Sequence, residues 1–418
     1  MAKTDKLIRL GGWLFLGAVA LLIVRNNSYA WPVKRASDIL LLLSFLSAAW
    51  FIVRKKDYKF LEVARQKKIF LWMGFMAAGL AAAGLSGYFF YGTSINRDGF
   101  LEIGRFAEVF AILLLVGFFQ NYDANFYKKI AIAQLSTAAY LVALFAPIIF
   151  LAMYRFQLFE NWPSNVGYYL IVSLGLIFAL LLEYRRRLKW AVPLYLLAVG
   201  YTAIALWAQS RASWLGVFAA IVFMIIIWAE KSWRKILGGL ALAATLPVLG
   251  FIILPNFIQN NALSRFAPGI YGKISPVSTP SGATIRKIYE NPAELRLIDQ
   301  RRIYLWTAYA KKILLNPLGI GPTYDPAKII SVGAPQGPHN TPLEILTLTG
   351  LAGLMGFLGL FIFGLKNSYQ KIKTAVRVDR FWPTYVLAAL IGLFVAAFFD
   401  DMSTFRVMWL MLGMAVFL

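Results

Sequence analysis

The 418-residue chain contains a single histidine, His339, in the stretch Gly337-Pro338-His339-Asn340-Thr341. Imidazole has the unperturbed pKa nearest neutrality, so this side chain suits the removal of a proton from a hydroxyl at the pH of a cell surface. Arginines complement it. Arg211 lies in Ala208-Gln209-Ser210-Arg211-Ala212-Ser213, with hydroxyls on both sides, and a guanidinium beside hydroxyl donors matches a phosphate. Arg302 falls within the stripe Leu295, Ile298, Arg302, Leu305 and Tyr309, spaced as one face of a helix, with Arg301 on the neighbouring strip. A charge in such a stripe needs an anion or hydrogen bonds, or the pairing that Asp299 and Trp306 offer one turn either way. Arg265, in Ser264-Arg265-Phe266, is a further cation. A base with several guanidinium groups suits an anionic substrate: the arginines hold a pyrophosphate leaving group while the histidine activates an incoming hydroxyl.

Other chemistries find no support. The candidate outer acids Glu290, Glu294, Asp299, Asp325, Glu344, Asp400 and Asp401 form no cluster with metal-ligand spacing, so no catalytic divalent cation and no cofactor is expected. The chain lacks a P-loop, a Gly-x-Ser-x-Gly elbow and a dinucleotide fingerprint. With no cysteine it forms neither disulfides nor thiolate metal sites. Gly319-Ile320-Gly321 lets the backbone approach a ligand closely, or is simply a loop.

The elements that position these residues are membrane helices. The chain is 60% hydrophobic and 15% charged, and apolar runs long enough to cross a bilayer recur from end to end. The longer ones are Ile69–Tyr91, Ile130–Met153, Val166–Leu182, Trp190–Trp207, Ile236–Leu254 and Leu343–Leu365. Shorter ones are Ile8–Val24, Ile39–Val53, Phe106–Phe119, Trp214–Trp228, Val386–Phe398 and Phe405–Leu418. The reading is therefore an all-α polytopic membrane protein of about twelve transmembrane helices, the first of them retained because no small-residue cleavage site follows it.

The net charge of +23 is distributed as membrane topology requires, not as nucleic-acid binding requires. Loops numbered alternately from a cytoplasmic N-terminus place Arg54–Lys68, Lys128-Lys129, Arg185–Lys189, Lys231–Lys235 and Lys366–Arg380 inside, and the opposite loops are poorer in Lys and Arg. Both termini then lie in the cytoplasm and residues 255–341 outside. The expected organisation is nine helices over 1–254, a large partly helical periplasmic loop over 255–341, and three helices over 342–418. Within the loop, Asn291-Pro292-Ala293-Glu294 starts an amphipathic helix that runs from about 292 to 315 and stops before Asn316-Pro317. An anionic lipid carrying a glycan on pyrophosphate, such as an undecaprenyl pyrophosphate glycan, fits a base and arginines at that membrane surface.

Several stretches resemble, in order, signature motifs of the O-antigen ligase superfamily: Arg302-Ile303-Tyr304-Leu305-Trp306, Asn316-Pro317-Leu318-Gly319-Ile320-Gly321-Pro322, His339-Asn340-Thr341-Pro342-Leu343-Glu344 and Thr349-Gly350-Leu351-Ala352-Gly353. Ser210-Arg211-Ala212-Ser213-Trp214-Leu215-Gly216 is similar to the family's upstream Ser-Arg motif. The resemblance implies a glycosyltransferase of the bacterial inner membrane, of the integral-membrane type that uses lipid-linked phosphosugars. It would transfer O-antigen from undecaprenyl pyrophosphate to lipid A–core at the periplasmic face, with inversion and without metal. It assigns the essential histidine to His339 and the essential arginines to Arg211 and Arg302, with Arg265 at the pyrophosphate and Asn340 in support; Arg301, on the strip beside Arg302, is a further supporting candidate. O-antigen polymerases and protein O-oligosaccharyltransferases share these motifs, and the end of the chain within its last helix leans toward a ligase. A lipid-glycan transporter is the reading from another class, and it would need charged residues deep in many helices, where few are present.

Overall fold

The computed structural model describes residues 6–21, 31–91, 97–150, 163–184, 187–208, 210–230, 232–254, 259, 305–322, 338–400, 402 and 405–418. Arg265, Arg301 and Arg302, the start of the helix expected from about 292, and Gly337 lie outside these residues. The described elements are α1 Lys6–Leu21, α2 Trp31–Lys55, α3 Lys59–Gln66, α4 Ile69–Tyr91, α5 Arg97–Tyr122, α6 Phe126–Phe150 and α7 Pro163–Tyr184. They continue with α8 Leu188–Ala208, α9 Arg211–Ala229, α10 Trp233–Ile253, α11 Thr341–Thr374, α12 Phe381–Ala397 and α13 Arg406–Phe417. Residues 305–315 are also helical, and no strand occurs among the described residues.

Each of the twelve apolar runs coincides with one of these helices. Six of them, in α2, α4, α8, α9, α10 and α11, are long and apolar enough to cross a membrane. The protein is thus an all-α polytopic membrane protein. α12 and α13 are short, at 17 and 12 residues, and α13 alone extends only about 18 Å at 1.5 Å per residue. Both are buried along almost their whole length, which makes them the interior of the bundle. α3 had no counterpart among the apolar runs. The basic stretch from Arg54 to Lys68 contains this amphipathic helix, whose Phe60 and Ala64 are buried while its charges face outward. Beside it, the ammonium of Lys67 donates to the carbonyl of Val416 at 3.3 Å and helps cap α13. Burial, and then Lys371, hold Lys67 below the ordinary ammonium range.

Two close helix pairs set the frame. α4 and α11 meet through small residues: a Cβ on Gly79 would lie 2.3 Å from the carbonyl oxygen of Thr349, and one on Gly356 would lie 2.5 Å from that of Trp72. α9 and α12 meet in the same way, with Gly216 against Gly392. A third tie is ionic. Arg406, 4% exposed, heads α13 and pairs with Asp38 of α2 and Glu108 of α5, while a second guanidinium nitrogen donates to Ser37 Oγ at 3.0 Å. Glu108 is therefore part of an ionic cluster around the buried Arg406, and Arg105 pairs with Glu102 one turn away.

α11 is broken near its start. Gly350 has φ 64° and ψ −169°, outside the helical region. The loop 316–322 enters that break. Ile320 N–H donates to the Thr347 carbonyl at 2.8 Å, and Leu351 N–H donates to the Pro317 carbonyl at 2.9 Å. Gly319 and Gly321 have φ of 84° and 85°, and a Cβ on either would press on backbone, of α11 and of α4 respectively. These two glycines serve close packing of the chain on itself, and the ligand reading of Gly319-Ile320-Gly321 gives way to that.

Candidate active site

His339 stands at the entrance to α11, with Asn340 as N-cap and proline in the first turn. The Asn340 carboxamide oxygen accepts from Leu343 N–H at 3.0 Å, and its nitrogen donates to the Phe398 carbonyl at 3.0 Å. Thr341 Oγ1 donates to the Asp400 carbonyl and accepts from Met402 N–H, each at 2.8 Å. The Pro338 carbonyl accepts from Trp306 Nε1 at 2.7 Å. Pro338, Asn340 and Thr341 are each thus fixed to another element. His339 itself has φ 46°, a left-handed conformation uncommon for a residue with a Cβ. The cap and these hydrogen bonds hold it there, and the imidazole is left partly open, 37% exposed.

Its Nδ1 lies 3.7 Å from Oδ1 of Asp400, within ion-pair reach and longer than a hydrogen bond. Asp400 follows α12, 61 positions along the chain, so spacing alone could not pair it with His339. The available signal was an acidic pair, Asp400-Asp401, directly after the apolar Phe398-Phe399. A carboxylate facing Nδ1 favours a proton on that nitrogen and leaves Nε2 as the basic position.

Arg211 is the first residue of α9 and is exposed. The two serines beside it are engaged otherwise than the sequence suggested. Ser213, 2% exposed, donates its hydroxyl to Ser210 Oγ at 2.8 Å, and Ser210 caps the helix by accepting from Ser213 N–H. The hydroxyls build the helix start, and the guanidinium is the group they present. Arg211 heads an apolar cavity of about 770 Å³ between α8, α9 and α10, with Trp214, Phe218, Leu206, Ala244 and Pro247 among its walls. Trp214 is fixed there by its Nε1, which donates to the Ala205 carbonyl at 2.8 Å.

The α9–α12 contact relates Arg211 to His339. Gly216 follows Arg211 by about 7.5 Å of helix, and Gly392 precedes Phe398 by about 9 Å. Because these glycines touch, Arg211 and the Phe398–Asp400 turn lie at the same end of the bundle and at nearly the same level. His339, Asn340 and Asp400 are gathered there directly. Among the described residues no group of three or more His, Asp or Glu is placed to hold a metal ion.

The motif-bearing region also has its counterpart among known proteins. No curated protein matches the chain. Residues 194–358, from α8 through the first half of α11, match the family model described as O-antigen ligase. This span contains Arg211, the 305–322 segment, His339 and the broken start of α11; the protein is a multi-pass membrane protein in which this span is similar to the O-antigen ligase family.

Proposed function

We propose that the protein is an O-antigen ligase, transferring glycan from undecaprenyl pyrophosphate to lipid A–core at the periplasmic face of the bacterial inner membrane. The observation that carries this reading is His339 beside Asp400, at the same end of the bundle as Arg211, with His339 and Arg211 both within the family-matched residues. Twelve membrane-crossing helices with both termini in the cytoplasm are part of the proposal. The basic loops support that topology, and it turns the His339 end of α11 toward the periplasm.

In this reading the donor's isoprenoid tail lies against the apolar wall below Arg211, with its pyrophosphate at the guanidinium. Arg302 joins Arg211 at the phosphates, with Arg265 and Arg301 in support. A core-sugar hydroxyl gives its proton to Nε2 of His339 while its oxygen attacks the anomeric carbon. The bond from that carbon to the pyrophosphate oxygen breaks, and undecaprenyl pyrophosphate leaves with the electron pair. Attack from the face opposite the leaving group inverts the anomeric centre. Asp400 holds the imidazole and balances the charge it gains, and the arginines balance the charge on the leaving group. No divalent metal takes part. The Asp38–Glu108–Arg406 cluster is internally paired, which favours a structural role over a transport path.

The test supplies purified protein with a defined undecaprenyl-pyrophosphate glycan and lipid A–core, in excess chelator. The expected product is glycan joined to lipid A–core. Longer glycans that remain on undecaprenyl pyrophosphate would instead assign a polymerase. Loss of activity in chelator, with rescue by magnesium or manganese, would contradict the metal-free step.

A further inference from the structure

Residues 305–322 were expected in a loop outside the membrane, and their contacts run along two helices apolar enough to cross it. The N-terminal end of the segment is level with His339, where Trp306 is bonded to the Pro338 carbonyl. Its buried face, Leu305, Tyr309 and Ile313, then packs against Leu343 and Leu346, so the helix runs beside the first turns of α11. Residues 305–315 extend about 15 Å at 1.5 Å per residue. The loop that follows meets Thr347 and Gly350, about 9–14 Å below the start of α11. It also meets Ala83, Gly84 and Ser86, about 8–12 Å below the end of α4. Three lengths from three helices agree on the depth, and both α4 and α11 are apolar enough to cross a membrane.

Irregular backbone at that depth must be satisfied by protein, because hydrocarbon offers it no partner. It is satisfied here. Ile320 and Gly321 N–H both donate to the Thr347 carbonyl, Gly319 N–H donates to the Asn316 carbonyl, and Leu351 N–H donates to the Pro317 carbonyl. The Asn316 carboxamide donates to Ser86 Oγ at 2.8 Å and to the Gly319 carbonyl at 2.9 Å.

The face turned away from the protein changes character with depth. Thr307, Lys311, Leu314, Leu315 and Leu318 lie along one side at helical spacing, polar near His339 and apolar below. Leu314 and Leu315 are each 83% exposed and Leu318 is 52% exposed, and α4 also exposes Leu85 and Phe89, at 61% and 71%. Lys311 stands where a long side chain reaches back to headgroups.

We infer that residues 305–322 form a re-entrant element, which enters the bilayer from the His339 side and turns Leu314, Leu315 and Leu318 toward lipid acyl chains. It anchors the His339 end of α11 to the membrane and is independent of which reaction the site performs.

The chain has no cysteine, so single cysteines can be spin-labelled without background. Leu315→Cys is compared in lipid nanodiscs with Phe89→Cys, 71% exposed on α4, and with Tyr58→Cys, 50% exposed in the polar connection before α3. The expected result is that the Leu315 label meets dissolved oxygen far more than a water-soluble nickel chelate, as the Phe89 label does. Nickel accessibility like that at Tyr58 would overturn the inference and return the segment to water. Protection from both reagents would overturn it too, because protein would then cover the leucines.

Discussion

Nδ1 of His339 faces Oδ1 of Asp400 at 3.7 Å, across a junction in which Thr341 Oγ1 is bonded to the Asp400 main chain. The pair joins the N-terminus of α11 to the turn after α12. The imidazole orientation is therefore set by two packed helices and not by a free loop.

If that carboxylate orients the imidazole, Asp400→Asn should keep donor affinity and lower turnover by about 10-fold or more, a part of what a general base supplies. Wild-type turnover in Asp400→Asn, with donor bound normally, would show that the carboxylate does not orient the imidazole.

Lysine keeps the charge of an arginine but loses its planar fork. Arg211→Lys and Arg302→Lys should each lower kcat/KM by roughly 10²-fold, as expected for loss of a donor aimed at a leaving group. Wild-type turnover in both would mean that the pyrophosphate is held elsewhere. Side-chain truncation of Trp214, which lines the cavity below Arg211, should raise KM for long-chain donors more than for short-chain ones.

Gly319→Ala should destabilise the protein by about 1–3 kcal/mol from the left-handed backbone alone, with more from the clash at 2.6 Å to Gly350 N. Gly74→Ala, where a Cβ meets nothing within 4 Å, serves as the control and should melt as wild type does. Equal melting temperatures for the two variants would show that the loop does not occupy the break in α11.

Arg406→Ala strands Asp38 and Glu108 in the bundle without their cation, which should cost roughly 3–5 kcal/mol. Thermal unfolding in detergent would show it. Asp38→Asn combined with Glu108→Gln should recover part of the loss in the Arg406→Ala background, because no charge is then left unpaired.

Hydropathy located the helices well, since the described part of every apolar run lies on one. The 305–315 helix ends before Asn316-Pro317, where proline geometry requires. Tertiary pairing was not readable in that way. Nothing in the spacing joins Asp400 to His339, or Arg406 to Asp38 and Glu108, because such contacts depend on how helices distant in sequence pack. The serines around Arg211 misled for a related reason: a hydroxyl at a helix start serves the backbone before it serves a ligand. The glycines near 320 were correctly read as points of close approach, but what approaches them is the protein itself. Arg265, Arg301 and Arg302 rest on sequence alone.

The proposed mechanism turns on His339 taking the proton from the acceptor hydroxyl. Its most direct test is single-turnover transfer from an undecaprenyl-pyrophosphate glycan to lipid A–core by wild type and His339→Gln, with donor binding measured on the same samples. Glutamine retains a hydrogen bond but cannot take the proton. The variant should therefore bind donor as wild type does and transfer it roughly 10²- to 10⁴-fold more slowly. Transfer at the wild-type rate, with donor bound normally, would contradict the account and leave positioning and leaving-group stabilisation as the whole of catalysis.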